Sequence, residues 1–367
     1  MAKTAFVPKY KTLYLHIKED ILSGAYRTGE KLPCERDLCA KYGVERVTLR
    51  HALELLDDEK LIEKKAGIGS FVKRVEPSSP RANKIILFSM RRHVNDILHN
   101  VHAFNAMLFF ALEQLYHKRG YTLVYAGVEN DEIAVLNYER QTLAGAMLIS
   151  HHSEAATQAT LQTGVPTICV NHFAPNTISI LPDNEKGIGE GVRYLNANGH
   201  RRIGFITGDL LMINARERLN GYKHALFDLG IPVDEALIRE GAWTFDSGVR
   251  ATKELLALDN PPTAILTSSD EMALGAMEAI HKAGLSIPQD ISVLGFDNID
   301  VGRYCAPSLT TIGVSVEQIA GLSLDSLEVA ARSAEDARGI GGYIIRTPTA
   351  IIERGSVAPR KQMSSKR

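Results

Sequence analysis

The chain has 367 residues, of which 45% are hydrophobic, and its 42 basic and 43 acidic side chains give a net charge of −1. This length exceeds what one hydrophobic core usually covers, so we expect at least two domains, and the apolar content excludes a disordered protein. No apolar run reaches the roughly 18 residues of a membrane-spanning helix, and the first residues lack the apolar stretch of a secretory signal. Together with four cysteines, too few for a disulfide framework, these features predict a cytoplasmic protein with reduced thiols.

The first 75 residues are mildly basic, with 15 Lys and Arg against 11 Asp and Glu, whereas the remainder carries 27 against 32. This asymmetry favours a polyanionic partner for the N-terminal segment alone. A break follows at EPSSPRAN, whose two prolines continue neither a helix nor a central strand. We therefore predict a first domain over 1–75, a linker over 76–83, a second domain over 84–357 and a basic tail over 358–367.

The first domain shows three helical patterns followed by two strand-like runs around a glycine turn. Gly24 and Gly43 end the first two helices, and the third carries Leu49, Leu53 and Leu56 on one face. Three helices and a hairpin form the plan of a winged helix-turn-helix domain, an α+β fold. The helices are predicted over 10–22, 35–42 and 46–56, and the strands over 61–65 and 70–72.

Three motifs of this domain, LPCERDL at 32–38, YGVERVTLRHAL at 42–53 and GIGSFV at 67–72, resemble the DNA-binding domain of the GntR family. The resemblance implies that the third helix enters the major groove of DNA. Lys65 adjoins the glycine turn and suits a wing that lies against phosphates or the minor groove. The DNA contacts implied by the family are Arg36, Arg46, Thr48, Arg50 and Gly67.

The third helix also suits DNA on physical grounds. Arg46 and Arg50 stand at i and i+4 opposite the leucine face, and arginine can bridge two acceptors on a guanine or hold a phosphate. Two residues depart from the family, since Cys34 and Glu45 replace the small hydroxyl residues that usually open helices, and cysteine is a poor N-cap. Glu45 either accepts from a cytosine amino group or points away and complements the helix dipole.

The second domain alternates short β-rich runs with helical patterns. This alternation predicts parallel sheets wrapped by helices, and the number of strands favours two lobes. The strands are predicted over 85–88, 122–125, 146–149, 167–170, 203–206, 264–266 and 292–294, and the helices over 104–119, 187–198, 218–229, 247–257 and 272–283.

A second resemblance covers nearly all of 84–357. The motifs DNEKG, GHRRIGF, ARERLNGY, SDEMALGA, GFDN and PSLTTI are similar to the effector-binding core of the LacI/GalR repressors, whose fold periplasmic sugar-binding proteins share. A GntR-type domain on such a core resembles the arrangement of AraR-type arabinose repressors. The resemblance implies an α/β domain of two lobes joined by three crossovers, with an effector in the cleft, and a homodimer on a near-palindromic operator.

Effector residues are also implied by this second resemblance. Arg218 and Asp297 would be paired charged ligands of a sugar, and Trp243, the only tryptophan, would stack on its ring. Asp297 could instead brace the next turn, and Trp243 could belong to the core. Asp270 is expected to cap the helix that begins near Glu271. The implied effector residues are Arg218, Asp297, Trp243, Asp183, Ser269 and His93.

His93 belongs to the loop at 91–95, which, like the loop at 151–153, ends a predicted strand at the cleft. Neither loop follows the family's commoner pattern, so the identity of the effector is least transferable there. Arg91 and Arg92 either bind an anionic effector, such as a sugar acid, or face solvent.

Motifs of common enzyme sites are missing from the sequence. The glycines of GIGEG at 187–191 match neither nucleotide-binding spacing, and neither HExxH nor paired CxxC occurs, so we predict no catalytic residue, cofactor or metal. The prediction is a cytoplasmic, homodimeric regulator of transcription, most simply a repressor, whose partners are operator DNA and a small carbohydrate or sugar-derived effector. The alternative is a sugar-binding protein without a DNA function.

Overall fold

The computed structural model describes residues 9–22, 26, 29–58, 61–65, 69–73, 84–91, 102–128, 132–138, 143–150, 152–335 and 342–360. The chain divides into two compact units, a head of residues 1–82 and a body of residues 83–367. The predicted linker at 76–83, the turn at Gly67 and the loop of His93 lie outside the described residues.

The head is a winged helix-turn-helix unit, as predicted. Its α2 ends at Gly43, which adopts the left-handed conformation with φ of 62°. The Cys34 thiol makes no cap hydrogen bond to the backbone and instead donates to Asp37 Oδ2 at 2.9 Å, in line with the poor capping expected of cysteine. The elements are α1 (Lys9–Leu22), α2 (Glu35–Tyr42), α3 (Arg46–Asp58), β1 (Ile62–Lys65) and β2 (Gly69–Val72), and the two strands pair antiparallel.

The body contains two six-stranded sheets, each flanked by helices, which confirms the predicted two-lobe α/β architecture. The first part of the body forms the first lobe. Its elements are β3 (Lys84–Arg91), α4 (Ala103–Lys118), β4 (Tyr121–Val128), β5 (Leu143–Ile149), α5 (Glu154–Gln162), β6 (Thr167–Val170) and β7 (Ile178–Pro182).

The second lobe follows directly along the chain. Its elements are α6 (Asn184–Ala197), β8 (Ile203–Thr207), α7 (Ile213–Asp228), β9 (Ile238–Glu240), α8 (Phe245–Leu256), β10 (Ala264–Thr267), α9 (Asp270–Lys282), β11 (Ser292–Asp297) and β12 (Thr310–Val314). The chain then returns to the first lobe with α10 (Val316–Glu335) and β13 (Tyr343–Thr347), and ends in the second lobe with β14 (Thr349–Ile352).

Strand order shows how the lobes are connected. The first sheet runs β13-β7-β6-β5-β3-β4 with all pairs parallel, and the second runs β14-β12-β11-β10-β8-β9 with only β14 antiparallel. The chain therefore crosses between lobes three times, at 182–184, 314–316 and 347–349, which we call the first, second and third crossovers. Three crossovers are what the resemblance to the LacI/GalR core implied.

Glycines bring the helices of the second lobe unusually close. A Cβ atom on Gly275 of α9 would lie 2.1 Å from the Phe245 carbonyl oxygen of α8, and one on Gly221 of α7 would lie 2.3 Å from the Glu185 carbonyl oxygen of α6. Only glycine permits such backbone contact. These two contacts fix α7 and α9, the helices that carry the site described below.

Two details differ from the sequence-based expectations. Residues 358–360, predicted as the start of a basic tail, hydrogen-bond to the second lobe, because the Arg360 amide donates to the Asn198 carbonyl at 2.8 Å and the Ala358 amide to Ser292. The strands β7, β9, β12, β13 and β14 and the helices α5 and α10 were not predicted. None of the described helices is both long and apolar enough to span a membrane.

Candidate functional site

The exposed face of α3 carries the residues predicted to contact DNA. Arg46 and Arg50 have side chains that are 68% and 61% exposed, whereas Leu49 and Leu53 on the opposite face are buried. Arg36, at the start of α2, is 90% exposed. An α-helix that buries its leucines and presents arginines one turn apart can place them against guanine edges or phosphates.

The rest of the predicted DNA surface is less uniform. Thr48 is half-buried, whereas Lys65 is exposed. The Nζ of Lys65 lies 5.1 Å from the centre of the Phe71 ring and 3.8 Å from Glu63 Oε2. Gly67, the predicted wing tip, lies outside the described residues. Of the six head residues predicted to contact DNA, four are therefore exposed, one is half-buried, and one lies outside the described residues.

Sequence reasoning missed Glu35, which joins the two arginines. Its carboxylate lies 3.2 Å from the Nε of Arg46 and 3.2 Å from the Nε of Arg50, and it raises the pKa of the Arg50 guanidinium. These contacts link α2 to α3 and hold both guanidinium groups on one surface. No spacing rule could find them, because they depend on how two helices pack.

In the body, Arg218 of α7 is buried, with its guanidinium stacked 3.7 Å from the centre of the Phe296 ring. Its Nε donates to Asn184 Oδ1 at 2.8 Å, and its Nη1 donates to the Ser268 carbonyl. Burial lowers the pKa of Arg218 to about 10, so the group stays charged at neutral pH.

Asp297, at the end of β11, faces this guanidinium, with 3.8 Å between its Oδ1 and Arg218 Nη1. The residue is buried and has a φ of 118°, a strained conformation for a residue other than glycine. Burial raises the pKa of Asp297 well above its ordinary value, an effect that Arg218 opposes and Asp270 increases. The structure thus brings together the two charged residues predicted as a pair and leaves a gap too long for a direct hydrogen bond.

Trp243 borders the same pair. Its ring centre lies 5.5 Å from Arg218 Cζ, and a Cβ atom on Gly208 would lie 2.0 Å from the indole, so the ring rests on the Gly208 backbone. The ring also packs against the core of the second lobe. Its buried Nε1–H has no partner among the described residues, and such a donor usually meets a ligand or water. Trp243 therefore both packs against the core and borders the pair of Arg218 and Asp297.

Two pairs of neighbouring polar residues, Asp183 with Asn184 and Ser269 with Asp270, have structural roles that the sequence analysis did not assign. Asp183 was predicted to line the cleft, but its side chain caps α6 by accepting from the Lys186 amide at 3.4 Å. It lines an open groove of about 600 Å³ between α6 and α7. The next residue, Asn184, is fully buried and holds Arg218 instead.

The second pair follows the same pattern. Ser269, not Asp270, is the N-cap of α9, because its Oγ accepts from the Met272 amide at 3.2 Å. The prediction that Asp270 caps the helix was wrong. Asp270 is fully buried, accepts from Thr311 Oγ1 at 2.6 Å and from the Ile299 amide at 2.9 Å, and so braces the turn after Asp297. Burial raises the pKa of Asp270 to about 7.

The two lobes of the body also contact each other directly. Glu271 of α9 accepts from the Ala103 amide at 3.0 Å and lies 3.2 Å from His102 Nδ1, both at the start of α4 in the first lobe. Since His102 makes no side-chain cap bond, a carboxylate from the opposite lobe satisfies the first turn of α4. Asn214 of α7 lies 3.5 Å from Asn171, at the end of β6.

Two further predictions for the body concern metal binding and the loop of His93. Within the described ranges, no group of three or more His, Cys, Asp or Glu residues is arranged to hold a metal. His93 lies outside those ranges, so its predicted place at the cleft has no structural description.

Both units match known protein families. Residues 9–72 match the gntR family of bacterial regulatory proteins, and residues 192–357 match the periplasmic binding protein-like domain family. The chain is 33% identical over 231 residues to the ribose operon repressor of Haemophilus influenzae, a match that covers 61% of this chain and 69% of that protein. The chain belongs to the family of LacI/GalR-type repressors.

Other repressors of this family match over shorter stretches. The chain is 44% identical over 151 residues to the transcriptional repressor CytR of Escherichia coli, which covers 40% of this chain and 44% of CytR. It is 38% identical over 168 residues to the probable repressor ExuR of Bacillus subtilis, which covers 45% of this chain and 50% of ExuR. The chain thus spans about half the length of these relatives.

Solved repressor structures share the fold of the body. A dimeric Lac repressor superposes with a TM-score of 0.65 at 26% identity, over 76% of this chain and all of that one. The Lac repressor dimer bound to operator and an anti-inducer superposes with a TM-score of 0.64 at 26% identity, over 78% of this chain and 98% of that one.

Proposed function

We propose that the protein is a dimeric transcriptional repressor that binds a near-palindromic operator and responds to a small carbohydrate or sugar-derived effector in the cleft of its body. The observation that carries the proposal is a pairing within one chain. A gntR-type head exposes Arg46 and Arg50 on one helix, and a periplasmic-binding-protein-like body buries Arg218 opposite Asp297. Such a protein works in the cytoplasm, where its operator lies.

The chemistry of the body supports a polyhydroxylated effector. A sugar hydroxyl both donates and accepts, so it can bridge Asp297, which accepts, and the guanidinium of Arg218, which donates, across their 3.8 Å gap. Trp243 adds an apolar face and an indole N–H that has no partner among the described residues. The described residues of the site thus supply the mixture of planar charged groups and aromatic surface that carbohydrates require.

A patch of exposed aromatic residues supports the dimer. Phe110 of α4 is 63% exposed and Tyr125 of β4 is 39% exposed, and both contact Phe109. The patch lies at β4, an edge strand of the first sheet. Exposed apolar patches on soluble proteins mark interaction surfaces, and we assign this one to a second copy of the chain, since a related Lac repressor is a dimer.

Binding to DNA tests the proposal. A duplex selected from a randomised pool is titrated with the full-length protein, and affinity is expected to fall steeply as salt rises, because arginine–phosphate contacts release counterions. Arg50→Ala should abolish specific binding, whereas Arg193→Ala, which removes an exposed arginine of the body, should not. Salt-independent or absent binding would instead favour the alternative of a sugar-binding protein without a DNA function.

Titration with candidate effectors tests the body. A thermal-shift screen of pentoses, hexoses, disaccharides and sugar acids identifies a ligand by stabilisation of the folded state. Because Trp243 is the only tryptophan, its fluorescence should change along the binding isotherm. Arg218→Met should bind DNA but no longer respond to that ligand, and a normal response would remove Arg218 from the site.

A further inference from the structure

Glu217, the residue before Arg218 on α7, forms an ion pair close to the segments that connect the two lobes. Glu217 accepts a bidentate ion pair from Arg346 of β13, with Nη1 at 2.7 Å from Oε2 and Nη2 at 2.5 Å from Oε1. The Glu217 side chain is only 15% exposed, so water screens the pair less than it screens an ordinary surface ion pair. Bidentate pairs of this kind fix geometry as well as adding energy.

Glu217 also determines which way the Asn184 amide faces. Asn184 Nδ2 lies 2.9 Å from Glu217 Oε2, and Asn184 Oδ1 lies 2.8 Å from Arg218 Nε. The carboxylate can only accept and the guanidinium can only donate, so the amide has one orientation that satisfies both neighbours. Without the carboxylate, the amide could rotate and present a donor to Arg218.

The hydrogen bonds from Glu217 through Asn184 to Arg218 form a chain that we call the relay. Arg346 connects this relay to the segments that join the lobes. Its Nη1 also donates to the carbonyl of Pro182 at 3.2 Å, the last residue of β7 before the first crossover. Arg346 itself precedes the third crossover, where the Asp183 amide donates to the Thr347 carbonyl at 2.9 Å. One guanidinium therefore holds two crossovers and the carboxylate that orients Asn184.

We propose that Glu217 and Arg346 are positioning residues, which orient Asn184 and through it the guanidinium of Arg218 for the effector, and which connect that guanidinium to the first and third crossovers. The inference rests on the proposed function of the cleft. Neither residue was predicted from the sequence, and neither touches Asp297 or Trp243 in the described structure. Their role is to hold the effector-binding arginine rather than to bind the effector.

The test follows the Nε–H proton of Arg218 by NMR in the full-length protein labelled with ¹⁵N-arginine, and the signal is assigned by its absence in Arg218→Met. In the wild type this proton should exchange slowly, because Asn184 accepts it. Glu217→Gln and Arg346→Met should each raise the exchange rate by about tenfold or more, as expected for loss of one hydrogen bond to a charged group. Arg346→Lys, which keeps the charge, should restore most of the protection.

Asp228→Asn is the matched control, because it breaks the ion pair of Asp228 with Arg193 on the same two helices, α6 and α7. This variant should leave the exchange of the Arg218 proton unchanged. Urea unfolding of each variant shows that the fold is intact; where one fails to fold, Glu217→Ala replaces Glu217→Gln and Arg346→Gln replaces Arg346→Met, with the same expected loss of protection. Unchanged exchange in both Glu217→Gln and Arg346→Met overturns the inference.

These outcomes are distinguishable from failure of the proposed function. The exchange measurement needs neither DNA nor effector, so it addresses the relay alone. If Arg218→Met still responds to the screened ligand while the relay variants lose protection, the proposed effector role fails and the relay remains.

Discussion

The pairing of Arg218 with Asp297 makes a quantitative prediction about stability that requires no ligand. Replacing Arg218 with methionine keeps the length and apolar stem of the side chain but removes the charge. The change leaves Asn184 Oδ1 and the Ser268 carbonyl without their donors and leaves Asp297 buried without a counter-charge. We expect the free energy of unfolding to fall by about 3 to 5 kcal/mol, the usual cost of removing one partner of a buried ion pair.

The separation of the charges gives the size of the coupling. Where both groups are ionised, two unit charges 3.8 Å apart attract by about 4 kcal/mol at an effective dielectric constant near 20, before the cost of burial is subtracted. Removing Asp297 as well should therefore recover part of the loss. In a double-mutant cycle of Arg218→Met with Asp297→Asn, we expect a coupling energy of about 2 kcal/mol, within the range for residues in contact.

Equilibrium unfolding in urea, followed by Trp243 fluorescence, measures these quantities in the second lobe. Arg193→Met, which removes an exposed arginine, should change stability by less than about 0.5 kcal/mol and serves as the control. If the effects of Arg218→Met and Asp297→Asn simply add, the two side chains do not interact in solution and the description of the site is wrong.

Four further predictions follow from the described contacts. Because burial raises the pKa of Asp270 to about 7, the folded state holds its proton more tightly than the unfolded state does. The stabilisation that Asp270 contributes should therefore be complete below about pH 4 and be lost, by on the order of 4 kcal/mol, as the pH rises to about 7; Asp270→Asn should remove this part of the pH dependence in urea titrations at several pH values. Gly275→Ala should destabilise by roughly 2 kcal/mol, because its Cβ would meet the Phe245 carbonyl, whereas Gly321→Ala in α10, where nothing lies within 4 Å, should be neutral or stabilising in the same assay. Glu271→Ala should speed hydrogen exchange of the Ala103 amide, and unchanged exchange would show that the lobes do not touch there in solution. Phe110→Asp should shift sedimentation equilibrium from dimer to monomer, and a variant that stays dimeric would place the interface elsewhere.

Local chemistry determined which elements could be predicted. The bounds of α2 were predicted to the residue, because Pro33 precedes the helix and Gly43 adopts the left-handed conformation that ends it. The strand β13 was missed because four of its five residues are exposed or half-buried, unlike those of a fully buried interior strand. Its place beside β7 depends on the chain returning from the other lobe, which no local periodicity records.

The two polar pairs that begin at Asp183 and Ser269 show how neighbouring polar residues take different structural roles. In both loops the first residue caps a helix; the second is buried, where Asn184 accepts from Arg218 and Asp270 braces the turn after Asp297. The sequence could not separate the two roles, because asparagine and aspartate suit both the N-cap and the first turn of a helix. Asn184 and Asp270 each stand at the first helical position, directly after a residue that already supplies the cap.

Glu35 and Glu217 could not be predicted from the sequence, because each contacts a residue in a distant element. Glu35 reaches Arg50 across 15 positions, and Glu217 reaches Arg346 across 129. Neither spacing corresponds to a helical or strand period. Such residues can be recognised only after the helices and crossovers have been placed.

The central claim is that occupancy of the cleft in the body changes DNA binding by the head. Fluorescence anisotropy of the selected duplex, titrated with the full-length protein with and without the ligand found in the screen, tests it most directly. We expect the ligand to change the dissociation constant for DNA in the wild type but not in Arg218→Met. A ligand that binds the wild type with a change in Trp243 fluorescence, yet leaves its DNA affinity unaltered, would contradict the account.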